Sequence, residues 1–459
     1  MQDKEDLEPT REVTLGPDHE FRFEVEFNTK VSIKLQKGTA EIFGTELAVG
    51  VTYTFSGRKA AVYTWHGCTL EVKGQFLVEY TANETPMTSY LNTHLALEQI
   101  RQNAKQNQDL GPRVLVIGPH DVGKTSLCKI LVSYSLRQGG SPIYVSLDTT
   151  EGSITMPGTV TATCISNIID VEEGFGSSAT TAASMGSSTM PLAYYYGFES
   201  PAENVKLYKL VTSQLSEAIR SRMAVDEECR NSGFIIDTAG LIDNVGYDII
   251  QHIIQDFNGN NISSSYHTHI LTFFKKKKKK VNVLIVLGHE RLYSDMNRIY
   301  GSSQKVSVVK LSKSGGVVER DRQFKIRLQR TKIHEYFYGT PKCELSPYSM
   351  LVNHDDIKIW RVGDVIAPSS ALPLGMDSSS NETQLVKVDN YDMCLHSILA
   401  IINIDQTESE NRILENNVAG FIYVSDVDEE KRKVTILSPS PGRLPKKHLL
   451  MGSFKWMET

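Results

Sequence analysis

Gly118-Pro119-His120-Asp121-Val122-Gly123-Lys124-Thr125 is a complete GxxxxGK[ST] segment. Few patterns of eight residues restrict a fold as tightly. Glycines at the two ends let successive backbone N–H groups curl around phosphate oxygens, and a helix starting at the lysine adds positive potential. The flanks agree with that demand. Residues 114–117 are a short β-branched run ending at Ile117. Leu127, Ile130, Leu131 and Tyr134 follow at i, i+3, i+4 and i+7, one face of a helix. Gly139-Gly140 stops the helix, and 144–147 read as the next strand. Strand–helix–strand is the unit of a parallel α/β sheet. Residues 234–236, 283–287 and 306–311 offer further buried strands, with helix-like segments between.

The motif assigns roles to its neighbours. Gly118, Asp121, Val122, Gly123, Lys124, Thr125 and Ser126 are the expected nucleotide cradle. Lys124 faces the β- and γ-phosphates and Thr125 offers a hydroxyl to Mg²⁺. Asp148 follows the second strand, where carboxylates face the ligand crevice, so it is expected to bind metal or accept a proton from an attacking hydroxyl. A turn or cap aspartate is the plainer alternative. Asp237 ends Phe234-Ile235-Ile236-Asp237, the apolar-strand–aspartate pattern of a second metal-side carboxylate. Arg320, Arg322, Arg327 and Arg330 lie in a helix expected over 319–332. Arg320 and Arg327, seven apart, are expected to share a face and close over phosphates; a solvated basic face is the alternative.

Outside this unit the periodicity changes. Phe21, Phe23, Val25 and Phe27 alternate with charged residues, and short strands with glycine turns continue to about residue 85, predicting a small β-sandwich. A helix is expected over 90–106. The last ~120 residues return to strand patterns, with a helix expected at 396–402, and read as a small separate domain. The fold class is therefore α/β: a central P-loop sheet over 90–339, an N-terminal β-sandwich over 1–89 and a small C-terminal mixed α/β domain over 340–459.

Two segments interrupt the central unit. Residues 176–189 have the Ser/Ala/Thr/Gly composition of a loop. Residues 258–280 end in a run from Lys275 to Lys280, which reads as a solvated insertion, an RNA-contacting patch or a gene-assembly error. With 49 Lys and Arg against 54 Asp and Glu, nothing global points to nucleic acid or membrane. The six cysteines form no CxxC pair, which argues against a cysteine-based zinc site and fits a reducing compartment. The polar, acidic start predicts no signal peptide, and no apolar run approaches the ~20 residues a membrane span needs.

Several longer segments resemble one family. They are Ala40-Glu41-Ile42-Phe43-Gly44-Thr45-Glu46-Leu47, Thr64-Trp65-His66-Gly67, the P-loop, Leu207-Tyr208, Lys313-Ser314-Gly315-Gly316-Val317-Val318-Glu319-Arg320, Glu335-Tyr336-Phe337-Tyr338-Gly339 and Pro441-Gly442-Arg443-Leu444-Pro445. The chain is similar to the polynucleotide 5′-hydroxyl kinases of pre-mRNA 3′-end cleavage and tRNA splicing, and within them to the fungal ATP-binding subunits of the cleavage and polyadenylation factor. The resemblance covers nearly the whole chain. It implies ATP as ligand, with Glu20 and Lys59 on its adenine side. It also implies a nuclear complex in which a scaffold subunit grips the central domain, with pre-mRNA met directly or through the complex.

Two departures bear on activity. Active members carry Asp-x-Gly-Gln where this chain has Asp148-Thr149-Thr150-Glu151. They carry Gly-Trp, stacking on RNA, where this chain has Gly240-Leu241; a base stack worth ~1–3 kcal/mol is lost there. The expectation is an ATP-holding subunit whose acceptor side is damaged. The alternative is an active RNA 5′-hydroxyl kinase, with Asp148 as base and Arg320 or Arg327 as lid cation. A GTPase is disfavoured, because no Asn-Lys-x-Asp segment is present.

Overall fold

The computed structural model describes residues 10–175, 190–257, 281–302, 306–363 and 383–457. The insertions expected at 176–189 and 258–280 lie outside them. The centre is a seven-stranded sheet in the order Leu192–Tyr195, Thr159–Cys164, Ile143–Ser146, Phe234–Asp237, Arg113–Ile117, Val283–Leu287, Ser307–Leu311. The last five pair in parallel, and the first two add an antiparallel edge. Their continuous apolar runs follow from burial on both faces. Leu115, Ile117, Phe234, Ile236, Leu284 and Val286 face one core. Val114, Val116, Ile235, Val283, Ile285 and Leu287 face the other, under the helices Met87–Asn107 and Lys124–Arg137.

The N-terminal region is a sandwich of a four-stranded and a five-stranded sheet. The alternation at 21–27 places Phe21, Phe23 and Val25 in its core with Ile33, Leu35, Phe55, Leu70 and Val72. Its hairpin Glu41–Ile42 and Thr45–Glu46 docks on the P-loop helix. There the buried Glu41 carboxylate accepts from the Tyr134 hydroxyl and, at 3.0 Å, from Arg137 Nη1. Burial pushes the Glu41 carboxyl up, although Tyr134 and Arg137 favour its charge. This docking accounts for the 40–47 motif, which sequence patterning alone leaves without a role.

The C-terminal region is a seven-stranded sheet, antiparallel except where Lys358–Val362 runs parallel to Lys447–Lys455, with only 3₁₀ turns beside it among the described residues. The helix expected at 396–402 is the strand Ser397–Asp405. Ile398, Ala400, Ile402 and Ile404 face the core shared with the P-loop sheet, while Leu399 and Ile401 face the opposite core. A strand buried on both sides reads as an unbroken apolar run, which periodicity does not separate from a helix. Nor is the sheet separate. Phe421, Tyr423 and Trp456 join the same core as Tyr195, Tyr336 and Phe337. Phe337 stacks on Trp456 with centroids 5.9 Å apart, and the Tyr336 hydroxyl accepts from Phe421 N at 2.9 Å. The Glu335–Gly339 motif is this anchor. No helix among the described residues is long and apolar enough to cross a membrane.

His94, on the helix Met87–Asn107, packs edge-on against Tyr134 of the P-loop helix and is 1% exposed. Burial, then Arg101 and Arg137, push its imidazole down to about 4. Between pH 4 and 6.5 the unfolded chain therefore binds more protons than the folded one, so stability rises with pH across that window. Acidification through it is expected to cost up to about 3 kcal/mol through this group. Urea midpoints measured from pH 4 to 7 should fall less steeply with acid in His94→Leu than in the wild type; parallel slopes would refute this assignment.

Candidate nucleotide-binding site

The cleft is built around the turn between Arg113–Ile117 and Lys124–Arg137. Its volume is about 440 Å³, and its lining comes from all three parts around it: sandwich, P-loop unit and lid. Gly123 has φ +89°, a conformation that a side chain resists, and it starts the helix at Lys124. Gly240 passes so close to the loop that a Cβ there would lie 2.5 Å from His120 N. That contact explains the glycine three residues after Asp237.

Lys124 is 6% exposed, and its Nζ donates to Pro119 O at 2.7 Å. The lysine thus satisfies itself on its own loop and is poised to exchange a carbonyl for phosphate oxygens. Thr125 donates from Oγ1 to Asp237 Oδ2 at 2.6 Å, and Tyr144 donates to the same oxygen at 3.1 Å. Asp237 Oδ1 is buried without a partner. Burial pushes this carboxyl up to about 6, although Lys124 and Thr125 favour its ionised form. A buried carboxylate oxygen with nothing to accept from, beside a threonine hydroxyl, suits the hydration shell of a phosphate-bound cation. Among the described residues no cluster of three or more His, Cys, Asp or Glu forms a metal cage. Any divalent ion here would lean chiefly on phosphates.

Asp148 lines the same cleft. One of its oxygens accepts from Thr150 N at 3.0 Å, closing a turn. The loop is fixed from behind by the Tyr208 hydroxyl on Leu147 O at 2.7 Å, which is the role of the Leu207-Tyr208 motif. Asp121 has φ +52° and is an ion-pair hub. Arg320 approaches it at 2.6 Å and Lys325 at 3.0 Å. Burial works to raise the Asp121 carboxyl, but Arg320 and Lys325 outweigh it and hold it below the usual range.

Glu20 and Lys59 also line the cleft, on the sandwich side. Glu20 accepts from Thr85 and, at 2.7 Å, from Arg22 Nε. Lys59 pairs with Glu24 at 2.7 Å and lies 5.2 Å from the Phe324 ring centroid. Arg22 fills the space over the Lys313–Arg320 segment: a Cβ on Gly316 would come 2.7 Å from its side chain. The glycine pair of that motif is thus a docking surface for the sandwich. Val122 and Ser126 line the cleft, and Gly118 does not.

The lid helix spans Arg322–Tyr338, capped by the Asp321 side chain on Phe324 N at 2.6 Å. Arg320 precedes it, so Arg320 and Arg327 do not share its face. Arg327 is 57% exposed and 3.8 Å from Glu26, outside the cleft. Instead Lys325 lines the cleft, and Gln329, four residues on, reaches the loop after the strand Ile143–Ser146. Gln329 donates to Thr150 O at 2.9 Å. Counting from the cap at Asp321 identifies this stripe; counting from Arg320 does not. Leu241, where an aromatic platform would stand, packs into the apolar core.

The fold and cleft define a P-loop nucleotide-binding protein in which the phosphate-binding strand and the acidic strand are neighbours. Residues 118–339 match the family described as mRNA cleavage and polyadenylation factor CLP1 P-loop. Residues 14–104 match the N-terminal beta-sandwich domain of polyadenylation factor, and 345–458 match Pre-mRNA cleavage complex II protein Clp1. The chain is 43% identical to the mRNA cleavage and polyadenylation factor clp1 of Botryotinia fuckeliana (strain B05.10), over 96% of this chain and 92% of that protein. It is 40% identical to the polyribonucleotide 5′-hydroxyl-kinase Clp1 of Homo sapiens, over 99% and 98%. A solved Clp1p–Pcf11p complex superposes with TM-score 0.81 at 27% identity, covering 98% of this chain and 99% of that one. The chain belongs to the Clp1 family.

Lys124→Ala removes the one cation inside the loop. It is expected to weaken Mg·ATP binding at least about 100-fold in calorimetry, on the scale of charge-assisted contacts to phosphate, while leaving the far-UV spectrum unchanged. Binding within a factor of three of wild type would contradict the placement.

Proposed function

We propose that this chain is an ATP-holding subunit of the nuclear pre-mRNA 3′-end cleavage and polyadenylation machinery. Its nucleotide braces sandwich, P-loop unit and lid into the arrangement that a scaffold subunit recognises. One observation carries the reading: all three parts contribute walls to one cleft. Glu20, Arg22 and Lys59 come from the sandwich, Asp121 to Ser126 from the P-loop, and Arg320 and Lys325 from the lid. A ligand spanning them ties the three together. At 100 times its dissociation constant it adds about 2.7 kcal/mol to that arrangement. In this reading the P-loop would hold the phosphates, Glu20 and Lys59 would face the adenine, and Thr125 and Asp237, with Asp148 in the same cleft, would hold Mg²⁺. When bound, the ion neutralises phosphate charge. The relatives solved as complexes of Clp1p with Pcf11p support a scaffold partner of that kind.

The second reading is an active RNA 5′-hydroxyl kinase, as the human relative is named. Asp148, at the mouth of the cleft, favours it as the base. The lid argues against it. The inward stripe carries one cation and one amide, and Leu241 offers no stacking surface.

Incubation with γ-labelled ATP and a 5′-hydroxyl RNA oligonucleotide separates the two. The proposal expects ATP to co-purify and no label to reach RNA; label transfer abolished by Lys124→Ala would establish the kinase instead. In pull-downs with a Pcf11-type scaffold fragment, Lys124→Ala should recover clearly less partner than the wild type. Equal recovery would remove ATP from the assembly.

A further inference from the structure

We propose that Glu151 is a positioning residue that neutralises the lid arginine and so protects bound ATP from losing its γ-phosphate. The proposal rests on the ATP-holding reading and deepens it. Arg320 bridges the two lips of the cleft. Its Nη2 lies 2.6 Å from Asp121 Oδ1 on the P-loop and 2.5 Å from Glu151 Oε1 on the loop after the second parallel strand. Its Nε donates to the same Asp121 oxygen at 2.7 Å. Asp148 and Glu151 share the connection between the strands Ile143–Ser146 and Thr159–Cys164, so the guanidinium is drawn toward the Asp148 side of the cleft. Gln329 grips that loop as well, through Thr150 O, and donates at 3.2 Å to Glu199 Oε1, which follows the strand Leu192–Tyr195. Thr149 Oγ1 donates to Glu199 O at 2.7 Å. The Asp148–Glu151 loop is thus tied to the lid at two points.

Charge counting shows what the arrangement does. Arg320 and Lys325 bring two positive charges, and Asp121 and Glu151 bring two negative ones, so the quartet is neutral. The side chains are mostly shielded: Asp121 is 6% exposed, Glu151 19% and Arg320 26%. Planar, charge-assisted pairing of this kind is strong and directional.

In γ-phosphoryl transfer the oxygen of water or of an RNA 5′-hydroxyl bonds to the γ-phosphorus. The bond from that phosphorus to the β,γ-bridging oxygen breaks, and its electron pair leaves with ADP. The proton of the attacking hydroxyl passes to the Asp148 carboxylate. Charge on the moving group calls for a cation free to follow it. Arg320, held between two carboxylates, is not free, and Glu151 adds repulsion beside the path.

The test uses the full chain, γ-labelled ATP and a 5′-hydroxyl RNA oligonucleotide. Inorganic phosphate release and RNA labelling are both measured in single turnover. Glu151→Gln keeps the shape and removes the charge. It is expected to raise total γ-phosphate loss at least about tenfold over wild type, the lower end of what one preorganised charge contributes. Glu151→Asp should stay within threefold of wild type. Adding Arg320→Ala to Glu151→Gln should erase the gain, which a role in folding alone would not predict. A Glu151→Gln protein that melts as wild type does, binds ATP and loses γ-phosphate no faster overturns the proposal. So does a gain that survives Arg320→Ala. Rapid transfer by the wild type would sink the ATP-holding reading instead, and the Glu151 comparison would still read the guanidinium's restraint.

Discussion

Everything in this molecule is arranged around one electrostatic problem, a ring of backbone N–H groups and a buried ammonium that need an anion. Lys124 answers it for the moment by bonding to Pro119 O within its own loop. The helix from Lys124 to Arg137 aims its positive end at the same point. Glu41 and the hairpin around it hold that helix from one side, and Tyr208 holds the Asp148 loop from the other. Around them two further bodies have closed: the sandwich through Arg22 over Gly316, and the lid through Arg320 and Lys325 on Asp121.

The contrast between the two ends of the cleft is what supports the proposed holding role over transfer. The phosphate end is complete, with Lys124, Thr125 and Asp237 in mutual contact or close to it. The acceptor end keeps Asp148 in the cleft, while Gln329 is spent on Thr150 O and Leu241 packs against the core instead of lining the cleft. Its cations, Arg320 and Lys325, are paired with Asp121 and Glu151. A site of that kind gains from binding ATP in the ground state and has little more to give as charge moves.

Much of this was legible in the sequence because the P-loop couples chemistry to local geometry. The spacing of Gly118, Gly123 and Lys124 requires a strand before and a helix after, and Asp237 follows from an apolar strand that ends in a carboxylate. The sandwich was legible for a similar reason, since Phe21, Phe23 and Val25 alternate. What stayed hidden depends on long-range contact. The two-sided burial of Ser397–Asp405 looks helical until both cores are known. The inward side of the lid is set by the cap at Asp321, so Lys325 and Gln329 were missed and Arg327 was overvalued. The fastening of the 40–47 and 313–320 motifs to neighbouring parts has no signature in a single segment. Glu151 stood out in the sequence as a departure, and its partner became visible only in three dimensions.

The family carries both a fungal cleavage factor and a human protein named as a kinase at similar identity. The scaffold is therefore compatible with either outcome, and the proposal assigns the difference to a few side chains around the Asp148 loop. The account's central claim is that ATP sits in this cleft intact. Purified protein can be desalted, denatured in acid, and its released nucleotide separated and quantified by chromatography. Close to one ATP per chain, with little ADP, is the predicted result. Protein that carries no nucleotide, or carries ADP in its place, would contradict the account.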